Sequence, residues 1–419
     1  MISRVKGTQD FLDMRIFNFF LDKTKTYVSK LSFKEIATPL IEHAELFLRT
    51  LGNETDVVSK QMYMLATHDD EKLCLRPEGT ASIMRAYLEA NPTGAPWRVF
   101  TYGPMFRYER PQKGRYRQFN QVSMEIINAR SVYYDASFIE GLYSFFKKEL
   151  MLDGFDLYIN FLGCRQDRQA FKLILKNFLE NKQVCATCTI RTNTNILRIF
   201  DCKNSDCQAL YVQAPKLTDC LCDGCVVEWV ELQKTLDLLG VSYQHVSTLV
   251  RGLDYYNKTV FEFTSNHLGS QNAFCSGGRY DGLAQELGSK VELPSIGAAM
   301  GVERIIMMLQ AQEEKLALKP PADLYVLVPM DPEYNMLMLQ IAKKLYEAGV
   351  TTELVLDGDT VKAKMRKANT LGATYALIVG SNEYAAQEVV IKNMQTGQEE
   401  KIKQEDMVTY LKNFSCTPE

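Results

Sequence analysis

The sequence predicts an α+β protein: a domain built on an antiparallel sheet and interrupted by a helical insertion, followed by a smaller α/β domain. Three observations predict it. The stretch PWRVFTYGPMFRYERPQKGRYRQFNQVSMEIIN, Pro96 to Asn128, reads as two long strands joined by a loop rich in proline, glycine and basic residues, a hairpin far longer than usual. Roughly 165–240 reads as helical and holds seven of the eleven cysteines. Beyond the polar segment AQEEKLALKPPA, the apolar strands DLYVLVPM, TTELVLDG and ATYALIVG alternate with helical segments, an α/β signature.

The remaining elements follow in chain order. Apolar residues recur at helical spacing from Asp13 to Leu31, and Asp13 is placed to cap that helix. FKEIATPLIEHAELFLRTLG reads as a short strand stopped by Pro39, then a helix closed by Gly52. KLCLRPEGTASIMRAYLEAN gives a strand, a turn and a helix; residues near 135–150 are helical, and DLYINFLG is a strand. Strands are predicted at 249–263 and 272–278, and PSIGAAMGVERIIMMLQ supplies a strand-to-helix turn. EVVIKNMQTGQEEKIKQ adds a hairpin turning at Thr396-Gly397. The expected organisation is 1–164 and 241–311 for the sheet domain, 165–240 for the insertion, 312–322 for a linker and 323–419 for the final domain.

Composition narrows the class. A chain of 419 residues calls for two or three domains, and 46% hydrophobic with 24% charged residues is ordinary for a soluble protein. No stretch approaches the roughly 18 apolar residues that span a bilayer. The start, MISRVKGTQDF, has neither a long apolar core nor a small-residue cleavage site, so no signal peptide, no membrane contact and a cytoplasmic location are expected. The cysteines are then thiols or metal ligands, not disulfides. With a net charge of −3, a polyanion must be met by local patches. One such patch is Arg165, Arg168, Lys172, Lys176, Lys182, Arg191, Arg198 and Lys203 against Asp167, Glu180 and Asp201, unless it is only a solvated helix face.

Several chemistries are excluded. Gly-Lys never occurs, so there is no P-loop, and no Gly-x-Gly-x-x-Gly follows a strand. The four histidines, His43, His68, His245 and His267, form no H-E-x-x-H motif. Instead arginines sit at strand ends and turns. FRYERPQKGRYRQF places Arg107, Arg110, Arg115 and Arg117 with Glu109 and Phe119; the fork of arginine matches phosphate oxygens, and a ring offers a base its stacking face. Arg304 opens an apolar helix, whose N-terminus favours anions. In LVRGLDYYNKTVFEF, Arg251 stands against Gly252 and two tyrosines at the start of an apolar strand. That is costly unless an anion waits for it.

These motifs resemble those of class II aminoacyl-tRNA synthetases, and within them the histidyl-tRNA synthetase family. ATPLIEHAELF is similar to the first class motif, FRYERPQKGRYRQF to the second and GAAMGVERIIMML to the third. RPEGT, LVRGLDYY and SGGRYDGL resemble segments distinctive of the histidine enzymes, and the C-terminal part resembles an anticodon-binding domain. The resemblance implies ATP-dependent ligation of L-histidine to tRNA(His) through histidyl-adenylate, with Mg-ATP as substrate, no organic cofactor and no bound metal.

It further implies that Arg107 meets the α-phosphate, Glu109 the adenine amine and Phe119 the adenine face, with Arg115 also at the ATP and Arg304 at its γ-phosphate end. Glu78, Gly79, Thr80, Gln121 and Glu125 line the histidine pocket. Arg251 holds the reacting carboxylate and α-phosphate where many relatives use a metal ion. A neutral imidazole needs an acceptor and a donor, here Glu125 with a hydroxyl of Tyr255, Tyr256 or Tyr280. Such a site rejects apolar amino acids by roughly 10⁴–10⁵ without editing. The first motif implies a homodimer, for which Leu46, Phe47 and Leu51 offer an apolar face, and KAKMRKANTLG, from Lys362 to Gly372, is the candidate for anticodon phosphate contacts.

Two rival functions stand beside this one. A regulatory paralogue would be expected to lose the arginines or the last domain, and a sister synthetase for glycine, proline or threonine would lack LVRGLDYY. The cysteines also leave a choice. Reduced thiols packed in a small domain are the expectation. The alternative is a structural zinc held by Cys185, Cys188, Cys222 and Cys225, with Cys202 and Cys207 competing for the same role.

Overall fold

The computed structural model describes residues 2–414 apart from 53, 54, 56, 67–69, 94, 95, 270, 271, 317, 319–321 and 359, so His68, Pro320 and Pro321 lie outside the described residues. The chain forms two compact units, Met1–Leu318 and Lys319–Glu419.

The first unit is organised by an eight-stranded sheet of β1 (Lys34–Glu35), β2 (Trp97–Phe106), β3 (Gln118–Ile127), β4 (Phe155–Phe161), β5 (Gln244–His245), β6 (Asn257–Ser265), β7 (Ala273–Arg279) and β8 (Ile296–Gly301). Their order is β1-β2-β3-β8-β7-β6-β4-β5, antiparallel throughout except for the parallel edge pairs β1/β2 and β4/β5. Alternation divides the sheet into two faces. Val122, Met124 and Ile126 of β3 join Ala298, Met300, Phe261 and Phe263 in a core covered by Phe20, Ile139 and Ile305 from helices Arg15–Lys30, Tyr133–Ser144 and Val302–Gln310. Gln121, Ser123 and Glu125, one residue out of phase, belong to the other face.

Arg279, 2% exposed, crosses the interior. It donates to both oxygens of Asp135 on the helix Tyr133–Ser144, to Asp281 at 3.2 Å and to the carbonyl of Ala129 at 2.7 Å. The arginine of SGGRYDGL is thus a structural tie, and its burial is tolerable because carboxylates and carbonyls surround it.

Three expectations are corrected. The strand predicted at 249–263 begins only at Asn257. Before it, Asn160 donates to the carbonyls of Ser247 and Leu249 at 3.1 and 2.9 Å, and Arg251 reaches Glu262 on β6, so the segment folds back over the sheet. Between Pro39 and the helix Ala44–Leu51 lies an extra strand, Ile41–His43, paired with Leu73–Leu75 and through it with Tyr63–Met64. Leu46, Phe47 and Leu51 are buried within the chain itself and cannot form an apolar face for a partner; the exposed apolar residues there are Leu40, Ile41 and Leu48.

The insertion leaves from β4 and returns at β5, its immediate neighbour in the sheet, so it is anchored at both ends. Its helices are Arg165–Leu179, Ala186–Asn193, Ser205–Tyr211 and Asp223–Leu238. Asp167 accepts from the backbone N–H of Cys164 at 3.0 Å, capping the first helix, and from that of Cys222 at 2.9 Å, joining it to the last.

The second unit has strands β9 (Tyr325–Pro329), β10 (Thr352–Leu354), β11 (Tyr375–Val379), β12 (Glu388–Asn393) and β13 (Glu399–Lys403), in the order β10-β9-β11-β12-β13. The first three are parallel and the last two form the expected hairpin, with Gly397 at φ +74° in its turn. Among the described residues no helix is long and apolar enough to cross a membrane.

Candidate active site

The polar face of the sheet opens into a cavity of about 370 Å³. Its lining includes Glu78, Thr80, Arg107, Glu109, Arg115, Phe119, Gln121, Arg251, Tyr255, Tyr256 and Arg304. Eleven predicted site residues, distant in sequence, therefore share one wall.

Gly79, Glu125 and Tyr280 do not line the cavity; they lie behind it. A Cβ on Gly79 would stand 2.5 Å from Ser123 Oγ, so glycine lets the Pro77–Thr80 turn lie against β3. Glu125 is fully buried. Thr80 Oγ1 donates to its Oε1 at 2.7 Å and the Tyr280 hydroxyl donates to its Oε2. Burial pushes the Glu125 carboxyl up to about 8, the nearby Glu78 adds to the rise, and the two hydroxyls oppose it.

The turn before helix Thr80–Ala90 is capped by Glu78, whose oxygens accept the N–H groups of Thr80 and Ala81 at 2.6 and 2.8 Å. Burial raises the Glu78 carboxyl, while those N–H groups and Arg107 favour its charged form. Gln121 presents a different kind of group. Its Oε1 is buried and, among the described residues, has no hydrogen-bond partner. An orphaned acceptor facing a cavity is suited to a ligand's N–H.

The cations are held by backbone and carboxylates. Arg107 Nε donates to the carbonyl of Pro77 at 2.8 Å, and its guanidinium lies 5.3 Å from the Phe119 ring centre. Arg115 pairs with Glu109, and Arg304 donates to the carbonyls of Gly114, at 2.9 Å, and Ala273. Burial, then Arg115 and Arg107 beside it, lower the Arg304 guanidinium, although Glu109 opposes them: cations crowd here as they would around an oligophosphate. Burial works against the charge of Arg251, but Glu262, Tyr256 and Asp201 together raise it, Glu262 through an ion pair. Arg251 Nε remains buried with no partner among the described residues. Arg110 and Arg117 take no part in this wall; Arg110 is exposed and Arg117 stacks 3.9 Å from the Tyr108 ring centre.

Tyr255 and Tyr256 have ring centres 4.5 Å apart, and Tyr280 lies 5.7 Å from Tyr255. Gly252 lines the cavity with open space where a Cβ would be.

Four residues of the site were missed in the sequence. Glu262 anchors Arg251, and its signal was a lone acid between Phe261 and Phe263 on a buried strand. Gly297 pairs with Glu125 across β3 and β8, and a Cβ there would stand 1.5 Å from Glu125 Oε2. Glu303 lines the cavity and accepts from the backbone and side chain of Asn120 at 2.7 and 2.9 Å. Arg198, expected only as one residue of the basic patch, reaches this cavity from the insertion. A second cavity of about 380 Å³ adjoins the first, sharing Arg198, Arg251 and Tyr256, and adds Arg165, Arg168 and Lys172 from the predicted basic patch.

The cysteines separate into two groups. Cys185, Cys188, Cys202 and Cys207 converge in one, and Cys164, Asp167, Cys222 and Cys225 in the other. The two Cys-x-x-Cys pairs therefore do not share a site. Helix Ser205–Tyr211 brings Cys207 to Cys185 and Cys188, whereas helix Asp223–Leu238 brings Cys225 to Cys164 and Asp167, a pairing that spacing alone did not reveal.

An antiparallel sheet carrying arginines over one cavity, followed by an α/β unit, matches known proteins along its length. Residues 63–313 match the tRNA synthetase class II core domain (G, H, P, S and T), and residues 325–414 match an anticodon binding domain. The chain belongs to the class II tRNA synthetases. It is 40% identical over 403 residues to the histidine--tRNA ligase of Halothermothrix orenii, covering 95% of this chain and 96% of that protein. It is 38% identical over 408 residues to that of Aquifex aeolicus, covering 96% and 98%. The crystal structure of apo histidyl-tRNA synthetase from S. aureus superposes with a TM-score of 0.81 at 29% identity, covering 98% of this chain and all of that one. Within the class, then, the chain is a member of the histidine--tRNA ligase family.

The buried carboxyl at the back of the site makes stability depend on pH. The folded Glu125 carboxyl titrates at about 8, against an ordinary value of about 4.3. The folded state thus holds that proton more tightly. Its contribution to stability is complete below the ordinary value and is lost as pH rises through 8. Glu125→Gln, which cannot ionise, is expected to gain melting temperature relative to the parent as pH rises from about 5 to about 9 in ligand-free protein. A difference that stays constant across this range would show that Glu125 does not titrate there.

Proposed function

We propose that the residues of the main cavity activate histidine with Mg-ATP and that the adjoining basic cavity receives the end of tRNA(His). The reaction of the family is ligation of histidine to tRNA at the expense of ATP, through an adenylate. The observation that carries the assignment of roles is the meeting of Arg107, Arg251 and Arg304 around one cavity whose buried Gln121 oxygen is unclaimed.

In this reading the histidine ammonium is held by Gln121 Oε1 and Glu78, both acceptors. The imidazole N–H takes the place of Thr80 or Tyr280 at an oxygen of the Glu125 carboxyl, and a tyrosine hydroxyl of Tyr255 or Tyr256 donates to its other nitrogen. Phe119 stacks on the adenine, Glu109 accepts from its amine, Arg107 and Arg115 hold the α-phosphate side, and Arg304 holds the γ-phosphate end. The histidine carboxylate then attacks the α-phosphorus, the bond to pyrophosphate breaks, and histidyl-adenylate forms. Arg251 lies between two like charges as they approach. Held by Glu262, it needs no reorganisation to stabilise them. The 3′-terminal ribose hydroxyl of the tRNA next attacks the adenylate carbonyl and AMP leaves.

Arg165, Arg168, Lys172 and Arg198 give the adjoining cavity the charge that a phosphate chain requires. In the second unit, the anticodon contacts come from Lys362 and Arg366, exposed on helix Val361–Thr370. Lys364 is excluded from that role: it is 2% exposed, and its Nζ donates to the carbonyl of Pro329 at 2.8 Å. Lys367 is shared with Asp357 at 3.4 Å. A homodimer is assembled through Leu40, Ile41 and Leu48, which are 40, 51 and 37% exposed.

Arg251→Ala is expected to slow histidine-dependent pyrophosphate exchange by on the order of 10²–10³ while changing histidine affinity much less. Near-normal exchange in the variant would remove Arg251 from the reaction. Truncation before Asp323 should depress tRNA charging far more than pyrophosphate exchange, whereas equal losses would indicate that the second unit is only structural. Sedimentation at micromolar protein should give a dimer that Ile41→Glu weakens, and a fully active monomer would rule out the proposed interface.

A further inference from the structure

The four thiols of Cys185, Cys188, Cys202 and Cys207 point at one another. Their sulfur atoms all lie within 4.8 Å of one another, and those of Cys185 and Cys202 are 3.7 Å apart. Four ligands about 2.3 Å from a tetrahedral zinc ion stand ~3.8 Å from one another. A disulfide would need about 2.05 Å, and all four cysteines are free. Cysteines packed merely as small apolar residues have no reason to converge. They would be spread among the leucine and isoleucine side chains of the insertion.

Two backbone donors are also aimed at these sulfurs. The backbone N–H of Cys185 donates to Cys207 Sγ at 3.3 Å, and that of Asn204 donates to Cys202 Sγ at 3.4 Å. Donors aimed at a sulfur stabilise its thiolate. Cys188, Cys202 and Cys207 are buried and Cys185 is half-buried, so the cluster is closed, as structural sites are. The spacing also improves once the right partners are known. The pattern is C-x2-C, thirteen residues, then C-x4-C, far tighter than the span from Cys188 to Cys222.

We propose that Cys185, Cys188, Cys202 and Cys207 bind one structural zinc ion, which clips the insertion to the wall of the catalytic cavity. Binding converts four thiols to thiolates and releases four protons to solvent, with no change of oxidation state. The ion closes a loop that contains Asn195 and Arg198. Asn195 Nδ2 donates to Asp254 Oδ1 at 2.6 Å, beside the Arg251 segment, and Arg198 lines the cavity. The clip therefore sets the position of a part of the site that the sheet does not carry. Nothing in this depends on the residue roles assigned above.

The second cluster is not included. Both oxygens of Asp167 already receive backbone N–H groups, from Cys164 and Cys222, so capping accounts for its position without a cation.

The test is metal analysis of the reduced full-length protein after dialysis against a mild chelator. The parent should carry about one more equivalent of zinc than the Cys202→Ser/Cys207→Ser double variant, and Cys222→Ser should retain that equivalent. Because the double variant can fail to fold, cobalt(II) is also exchanged into the parent, where intense visible bands of a tetrahedral tetrathiolate are expected. Less than about a tenth of an equivalent of zinc in the parent, iron in its place, equal zinc in parent and double variant, or cobalt without those bands would each overturn the proposal.

Discussion

The active site depends on the register between β3 and β8. Glu125 stands opposite Gly297, and its carboxylate occupies the space that any other residue at Gly297 would fill. Slipping this pair by one residue would turn Gln121, Ser123 and Glu125 into the core and expose Val122, Met124 and Ile126. The same pairing that lays down the apolar core on one face therefore lays out the polar groups on the other. Fold and site are two faces of a single alternation.

Placing charge on a buried sheet demands partners, and each charged group here has one before substrate arrives. Glu78 caps a helix, Arg251 is held by Glu262, Arg304 by two carbonyls, and Arg107 by the carbonyl of Pro77. These contacts make the charges tolerable in the folded chain. They also fix the orientation of the guanidinium groups at the cavity wall. Among the described residues, the Gln121 oxygen, the Ser123 hydroxyl and the Arg251 Nε remain buried without a hydrogen-bond partner.

The insertion completes this arrangement from outside the sheet. It departs from β4 and returns at the neighbouring edge strand β5, and its residues Arg168 and Arg198 reach the Tyr256 carbonyl and the cavity wall. The segment from Leu249 to Tyr256 lies between insertion and sheet and is pinned from both sides, by Asn195 at Asp254 and by Asn160 at the Leu249 carbonyl. A loop so held fixes Arg251 with the precision of a strand.

By itself the sequence determined the element types and the kinds of chemistry. The long hairpin, the β-branched strands of the second unit and the helix closed at Gly52 are written in local periodicity and turn residues, which act over a few positions, whereas the first helix has Met14, not the expected Asp13, at its N-cap. The arginine-rich motifs likewise pointed to side chains that the fold brings to one cavity, Arg107, Arg115, Arg251 and Arg304. Tertiary structure decided what depends on distant neighbours. It started β6 at Asn257 rather than Leu249, buried Leu46, Phe47, Leu51 and Lys364, and put Glu125 behind the cavity rather than in its wall. It also brought Cys202 and Cys207, rather than Cys222 and Cys225, to Cys185 and Cys188. Spacing along a chain sets what can meet, but which groups do meet depends on how the helices between them pack, and that is settled only when the core closes.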